Sequence, residues 1–212
     1  MEMEGITIET ANQTCGAFLD ALASKAPVPG GGGASALVGA LGAALCTMVG
    51  NYTVGKKKYA AVEADVKALM DKAEDIRARL LALVDADAAA FEPLSKAYAI
   101  PKDDPGRGEI MERCLRDAAA TPMAILKLSC EAIDLHSEML EKGSVMMLSD
   151  VGTGVVFCWS ALYGAALNVK VNTKSMADRA YAQAMNNEVD ALVERYWKIA
   201  EQVYEAVLGR FA

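Results

Sequence analysis

A chain of 212 residues, 53% of them hydrophobic and 23% charged, holds enough apolar material for one sizeable core, and a single helical domain over residues 1–212 is its simplest division. Twenty-one basic against 28 acidic side chains leave a formal charge of −7 with no basic block beyond Lys56-Lys57-Lys58, so nucleic acid and an anionic membrane surface are excluded as expected partners. Five scattered cysteines and one histidine supply neither a disulfide framework nor a zinc ligand set; no metal is expected, and the acidic start MEMEGITIE, with no secretory signal, places the chain in the cytoplasm.

In chain order, only GITIE has the alternation of a strand, and the remainder reads as helix. A first helix is predicted over 14–25, stopped by Pro27 and Pro29, and a second from about Ala34, after the glycines, to Val54. The third, over 59–99, carries Val62, Val66, Leu69, Ala73, Ile76 and Leu80 at three- and four-residue steps and should bend at Pro93. After the polar turn IPKDDPGRGE come a fourth helix over 109–141, kinked at Pro122, a fifth over 145–169 and a sixth over 174–208. The expected fold is all-α, an up-and-down bundle of about six long helices around a central Ala/Gly-rich one.

Two runs, 26–55 and 151–169, carry no charge and are long enough to span a bilayer. They are Ala/Gly-rich rather than Leu/Ile/Phe-rich, so each is read as a core helix covered on all sides, with no membrane involved. On the second helix Ser35, Gly39, Gly42, Cys46 and Gly50 form a narrow small-residue arc, while Val38, Leu41, Leu45, Met48 and Tyr52 form a large one. The small arc lets a neighbouring helix, or a second subunit, approach closely.

The stretch PVPGGGGAS holds Gly30, Gly31, Gly32, Gly33 and Ser35 at a helix start, where main-chain N–H groups lack partners. It serves either an anion or a polar ring, or else a tight turn; no GK[ST] follows and no strand precedes it, so a nucleotide is not its expected ligand. Ser149-Asp150 opens the fifth helix, and Asp150, Asn168 and Asn172 share one of its faces. The alternatives are helix capping for Asp150, a helix C-terminal role for Asn168 and a turn role for Asn172. Asp150 and Asn168 are 18 residues apart, about 27 Å along one straight helix, so a single pocket would hold both only across two subunits. Asp85 and Asp87 in DADAAAF, Asp20, and Lys56 at the end of the second helix complete the candidates.

At these residues the sequence resembles the cyclodeaminase/cyclohydrolase family of folate enzymes, whose members occur alone or as the C-terminal part of formiminotransferase-cyclodeaminase. The resemblance rests on FLDALASKAPVPGGGGASALVGALGAALCTMVGNYTVGKKKY, LLALVDADAAAFEPLSKAYAIPK and GSVMMLSDVGTGVVFCWSALYGAALNVKVN, and departs from the family pattern at Ser144, where an Asn usually follows the glycine. It implies a homodimer that acts on one-carbon tetrahydrofolates without a cofactor. Cyclohydrolase hydrates the cationic carbon bridging N5 and N10 and opens it to 10-formyltetrahydrofolate; cyclodeaminase closes N10 onto a formimino carbon and expels ammonia. The cyclohydrolase reading is preferred because no transferase is attached to supply formimino-folate. A non-catalytic folate-binding scaffold is a further alternative.

The resemblance names the substrate, and the chemistry can then be matched to these residues without a metal. Asp150 would be the main carboxylate beside the cationic bridge, supported by Asp87 or Asp20, with Lys56 as cationic partner. Gly30, Gly31, Gly32, Gly33, Ser35, Ser149, Asn168 and Asn172 would hold the folate.

Overall fold

A computed structural model describes residues 10–211, and every regular element among them is helical. GITIE lies outside the described residues. The six α-helices are α1 (Cys15–Ala23), α2 (Gly31–Asn51), α3 (Glu63–Tyr98), α4 (Arg107–Lys142), α5 (Leu148–Thr173) and α6 (Arg179–Gly209), with 3-10 turns at Thr10–Asn12, Lys57–Val62 and Val145–Met147. The Thr14 hydroxyl caps α1 by accepting from the Ala17 N–H at 3.2 Å. α6 starts five residues later than the pattern suggested because Asp178 caps it, accepting from the Tyr181 N–H at 3.0 Å. α3 and α4 run on through Pro93 and Pro122.

α2 is the centre of the bundle, packed against α3, α4 and α5. It lies antiparallel to α5: a side chain at Gly31 would meet Asn168, one at Gly39 Ala161, and one at Gly42 Cys158, while Ser35 fills the space beside Gly164. The approach is close enough that a Cβ on Gly42 would lie 2.4 Å from the Cys158 sulfur and 2.9 Å from the Gly154 carbonyl oxygen. The small-residue arc is therefore the α2/α5 seam, and burial pushes the Cys46 thiol on it up to about 12, which leaves that group inert.

α2 departs from its predicted form in two ways. Gly31, Gly32 and Gly33 are its first helical turn rather than a preceding loop, with only Gly30 as the cap residue. The large arc is not covered: Leu41, Met48 and Tyr52 are 49%, 38% and 54% exposed. On α5 the next outward stripe, Tyr163, Leu167 and Val171, is uncovered too. Helical periodicity puts both stripes on the same side of the α2/α5 pair, giving one continuous apolar face. Both helices are long and apolar enough to cross a membrane, and 56% and 50% of their most apolar stretches are buried within the bundle.

His136 sits fully buried where α2, α4 and α5 meet. Its Nε2 is 3.0 Å from the Gly42 carbonyl oxygen and so carries the proton, leaving Nδ1 buried without a partner. A Cβ on Gly154 would lie 2.2 Å from the imidazole, so that glycine makes room for the ring. Burial lowers the His136 pKa from 6.5 to about 4. The unfolded chain therefore binds the extra proton between these two values. The imidazole's contribution to stability is intact above pH 6.5 and lost as pH falls toward 4, by about 3 kcal/mol in total. Urea unfolding at pH 7 and pH 5 is expected to show this decline in the wild type and a flatter one in His136→Gln; equal slopes would rule it out.

Candidate active site

The glycine turn, the middle of α3 and the C-terminal part of α5 enclose a pocket of about 180 Å³. Gly30, Gly31, Gly32, Asp87, Asn168 and Asn172 line it, with Pro27, Val28, Phe91, Ala118 and Val171 as its apolar wall. The sequence places these residues on four separate segments, and the antiparallel α2/α5 seam brings them together.

Asp87 is the only carboxylate among the lining residues, and none of them is cationic. Its Oδ2 accepts from the Gly33 N–H at 2.9 Å, so α3 supplies the cap that α2 lacks in its own sequence. The carboxylate fits because residue 32 is glycine, where a Cβ would lie 2.2 Å from Oδ1. Burial raises the Asp87 pKa above the ordinary aspartate value, and the Gly33 hydrogen bond opposes this. Ala34 is the first intrahelical donor of α2, bonding the Gly30 carbonyl, so the Gly31 and Gly32 N–H groups have no acceptor in the helix.

The two carboxamides are held in place by backbone carbonyls. Asn168 Nδ2 donates to the Gly164 carbonyl at 2.8 Å, and Asn172 Nδ2 donates to those of Ala118 at 3.0 Å and Asn168 at 2.9 Å. With both amide hydrogens of Asn172 committed, its side chain offers a ligand only an oxygen. The pocket therefore presents one carboxylate with a raised pKa, amide oxygens, backbone N–H groups and an apolar wall. That set suits a planar heterocycle with N–H donors or positive charge, not an anion.

The other candidates fall elsewhere. Ser35 donates to the Gly31 carbonyl at 2.7 Å and packs by Gly164, outside the pocket lining. Asp150 and Ser149 open α5, about 27 Å along the helix from Asn168, with only a 3.5 Å contact between their side chains. Lys56 is exposed just beyond the C-terminus of α2, at the same far end of the bundle. Asp20 is exposed on α1. Within one chain, then, the fold joins Asp87 to the glycines and the asparagines and leaves Asp150, Ser149, Lys56 and Asp20 apart from them. Asp85 accepts from the Ala11 N–H at 3.2 Å and ties down the turn before α1.

A larger cleft of about 830 Å³ lies between α3 and α4. Asp71, Asp75, Glu131, Asp134 and Glu138 line it against Lys72 alone, a field that repels any ligand bearing carboxylates. Phe91 in the site and His136 in the core are among the residues that the sequence pattern did not single out. Phe91 stands one helical turn after Asp87, and His136 continues the buried row of Ser129, Ala132 and Ile133, so helical spacing is the signal for both.

A profile of the formiminotransferase-cyclodeaminase family matches residues 14–191. The chain is 42% identical over 203 residues to the methenyltetrahydrofolate cyclohydrolase of Methylorubrum extorquens, covering 94% of this chain and 98% of that protein. It is 30% identical over 199 residues to the formimidoyltransferase-cyclodeaminase of Sus scrofa, of which it spans 37%. Its fold matches the crystal structure of formiminotetrahydrofolate cyclodeaminase from Thermotoga maritima with a TM-score of 0.82 at 28% identity, covering 93% of this chain and 98% of that one. A helical bundle whose glycine turn and carboxamides meet one carboxylate, matched in sequence across most of its length, belongs to the formiminotransferase-cyclodeaminase family.

Proposed function

We propose that this protein is a cytoplasmic methenyltetrahydrofolate cyclohydrolase that works as a homodimer. The observation that carries the reading is the 42% identity to a cyclohydrolase matched over 98% of its length. The pocket supports it chemically. A carboxylate with a raised pKa, in a pocket lined by no cation, favours the positively charged N5–C–N10 bridge and is a competent base for water.

In this mechanism water adds to the bridging carbon while Asp87 takes its proton. The N5–carbon bond then breaks, its electron pair returns to N5 together with a proton, and the formyl group stays on N10. The balance is methenyl cation plus water giving 10-formyltetrahydrofolate and one proton. Positive charge disappears along the way, so Asp87 must hold the cation without trapping it, and a protonatable carboxylate does this.

The second reading is formiminotetrahydrofolate cyclodeaminase, favoured by the likeness to the Thermotoga protein. That match covers 98% of the Thermotoga chain, so a protein matched over nearly its whole length carries the deaminase name as well. A direct assay does. The purified protein is expected to speed the loss of methenyl absorbance well beyond the buffer rate and to release no ammonia from formiminotetrahydrofolate. Ammonia release would favour the deaminase, and folate binding with no turnover of either substrate would favour a scaffold.

The homodimer is supported by the uncovered α2/α5 face. Leu41, Met48, Tyr52, Tyr163, Leu167 and Val171 form one apolar strip that reaches the pocket at Val171. An antiparallel partner seated on it would bring its own Asp150 and Lys56 toward this pocket, which reconciles the two candidate clusters.

A further inference from the structure

The pocket holds about 180 Å³, below the roughly 300–1,000 Å³ that encloses a drug-sized ligand, so only part of a folate enters it. A folate has two unlike ends: a fused ring bearing N–H donors and, in the methenyl form, a positive charge, and a glutamate tail bearing carboxylates. Asp87 repels the tail, and no lysine or arginine lines the pocket to attract it. The amide oxygens of Asn168 and Asn172 match the N–H edge of the ring.

Phe91 completes the arrangement. It lies on α3 four residues after Asp87, on the same face, and lines the pocket with 36% of its surface exposed.

We propose that this pocket takes the fused-ring end of the folate, stacked on Phe91, with the glutamate tail outside. The inference rests on the folate reading above and goes further in naming the end that is bound and the side chain that binds it. A planar cation is drawn to an aromatic face, and this attraction fades once the bridge is opened to the neutral formyl product. Phe91 therefore holds the reactant more tightly than the product.

The test compares two fragments as competitors of methenyltetrahydrofolate hydrolysis: 6-methyltetrahydropterin, which has the ring alone, and p-aminobenzoylglutamate, which has the tail alone. Phe91→Ala is expected to raise KM about tenfold with kcat nearly unchanged, and to weaken the pterin, which stacks without the bridge charge, by a smaller factor. The tail fragment should be unaffected, Phe91→Tyr should restore the wild-type values, and thermal melts should show both variants folded. Unchanged KM and pterin inhibition in Phe91→Ala would overturn the proposal, as would loss of inhibition by the tail fragment instead. If the wild type turns over neither folate, the proposed activity fails separately, and the ring site is then judged by saturation-transfer NMR. Pterin bound by the wild type and weakened in Phe91→Ala sustains it, and pterin left unbound ends it.

Discussion

Asp87→Asn is expected to lower kcat/KM for methenyltetrahydrofolate by about 10²- to 10³-fold while the protein unfolds at nearly the wild-type temperature. The asparagine oxygen still accepts from the Gly33 N–H, so the start of α2 stays capped and the pocket keeps its shape. What is lost is the negative charge beside the cationic bridge and the base that takes the proton from water. Asp87→Ala should lose at least as much activity and, without the cap, about 1 kcal/mol of stability as well. Initial rates of absorbance decay and a denaturant melt separate the two effects. An Asp87→Asn protein with wild-type kcat/KM would remove Asp87 from the mechanism.

Leu41→Glu is expected to break the proposed homodimer into monomers and strip most of the activity, although Leu41 is ten residues, about 15 Å, along α2 from Gly31. Leu41 is 49% exposed in the single chain and lies in the middle of the apolar strip. A carboxylate forced into a desolvated interface costs about 3 kcal/mol, or roughly 10²-fold in the dimer dissociation constant. In the monomer the same residue stays in water, and the bundle folds as before. Sedimentation at low micromolar concentration reads the mass, and the hydrolysis assay on the same samples reads the function. A Leu41→Glu protein that is monomeric and fully active would show that each pocket works alone, and Asp150 and Lys56 would then have no route to the chemistry.

How much of this was legible in the sequence follows from the range of the forces involved. Helices were readable because their apolar rows and caps are local: the α3 row, from Val66 through Leu69, Ala73 and Ile76 to Leu80, is buried throughout. The start of α2 was not, because its cap is Asp87, 54 residues further along the chain. Read locally, the glycines look like a loop; with the α3 carboxylate in place they are helical.

The same reason governs the site. The glycine turn, Asp87, Asn168 and Asn172 were each visible as candidates, but only the antiparallel α2/α5 seam shows that they share a pocket and that Asp150 opens the opposite end of α5. Small residues announced a close approach without naming the partner, since glycine at 39 or 42 fits any smooth helix. The uncovered large arc of α2 is likewise invisible in a pattern that records only that the residues are apolar.

The carboxylate seated on the first turn of α2 has one more consequence. A glycine-rich helix start is the kind of surface that gathers inorganic phosphate, sugar phosphates and nucleotides from solution. Here the chain has already supplied the negative charge itself, at 2.9 Å from the Gly33 nitrogen. Any competing anion must displace a tethered group whose local concentration no free metabolite matches. The site is thus closed to the most abundant charged solutes by the same side chain that makes it receptive to a cation.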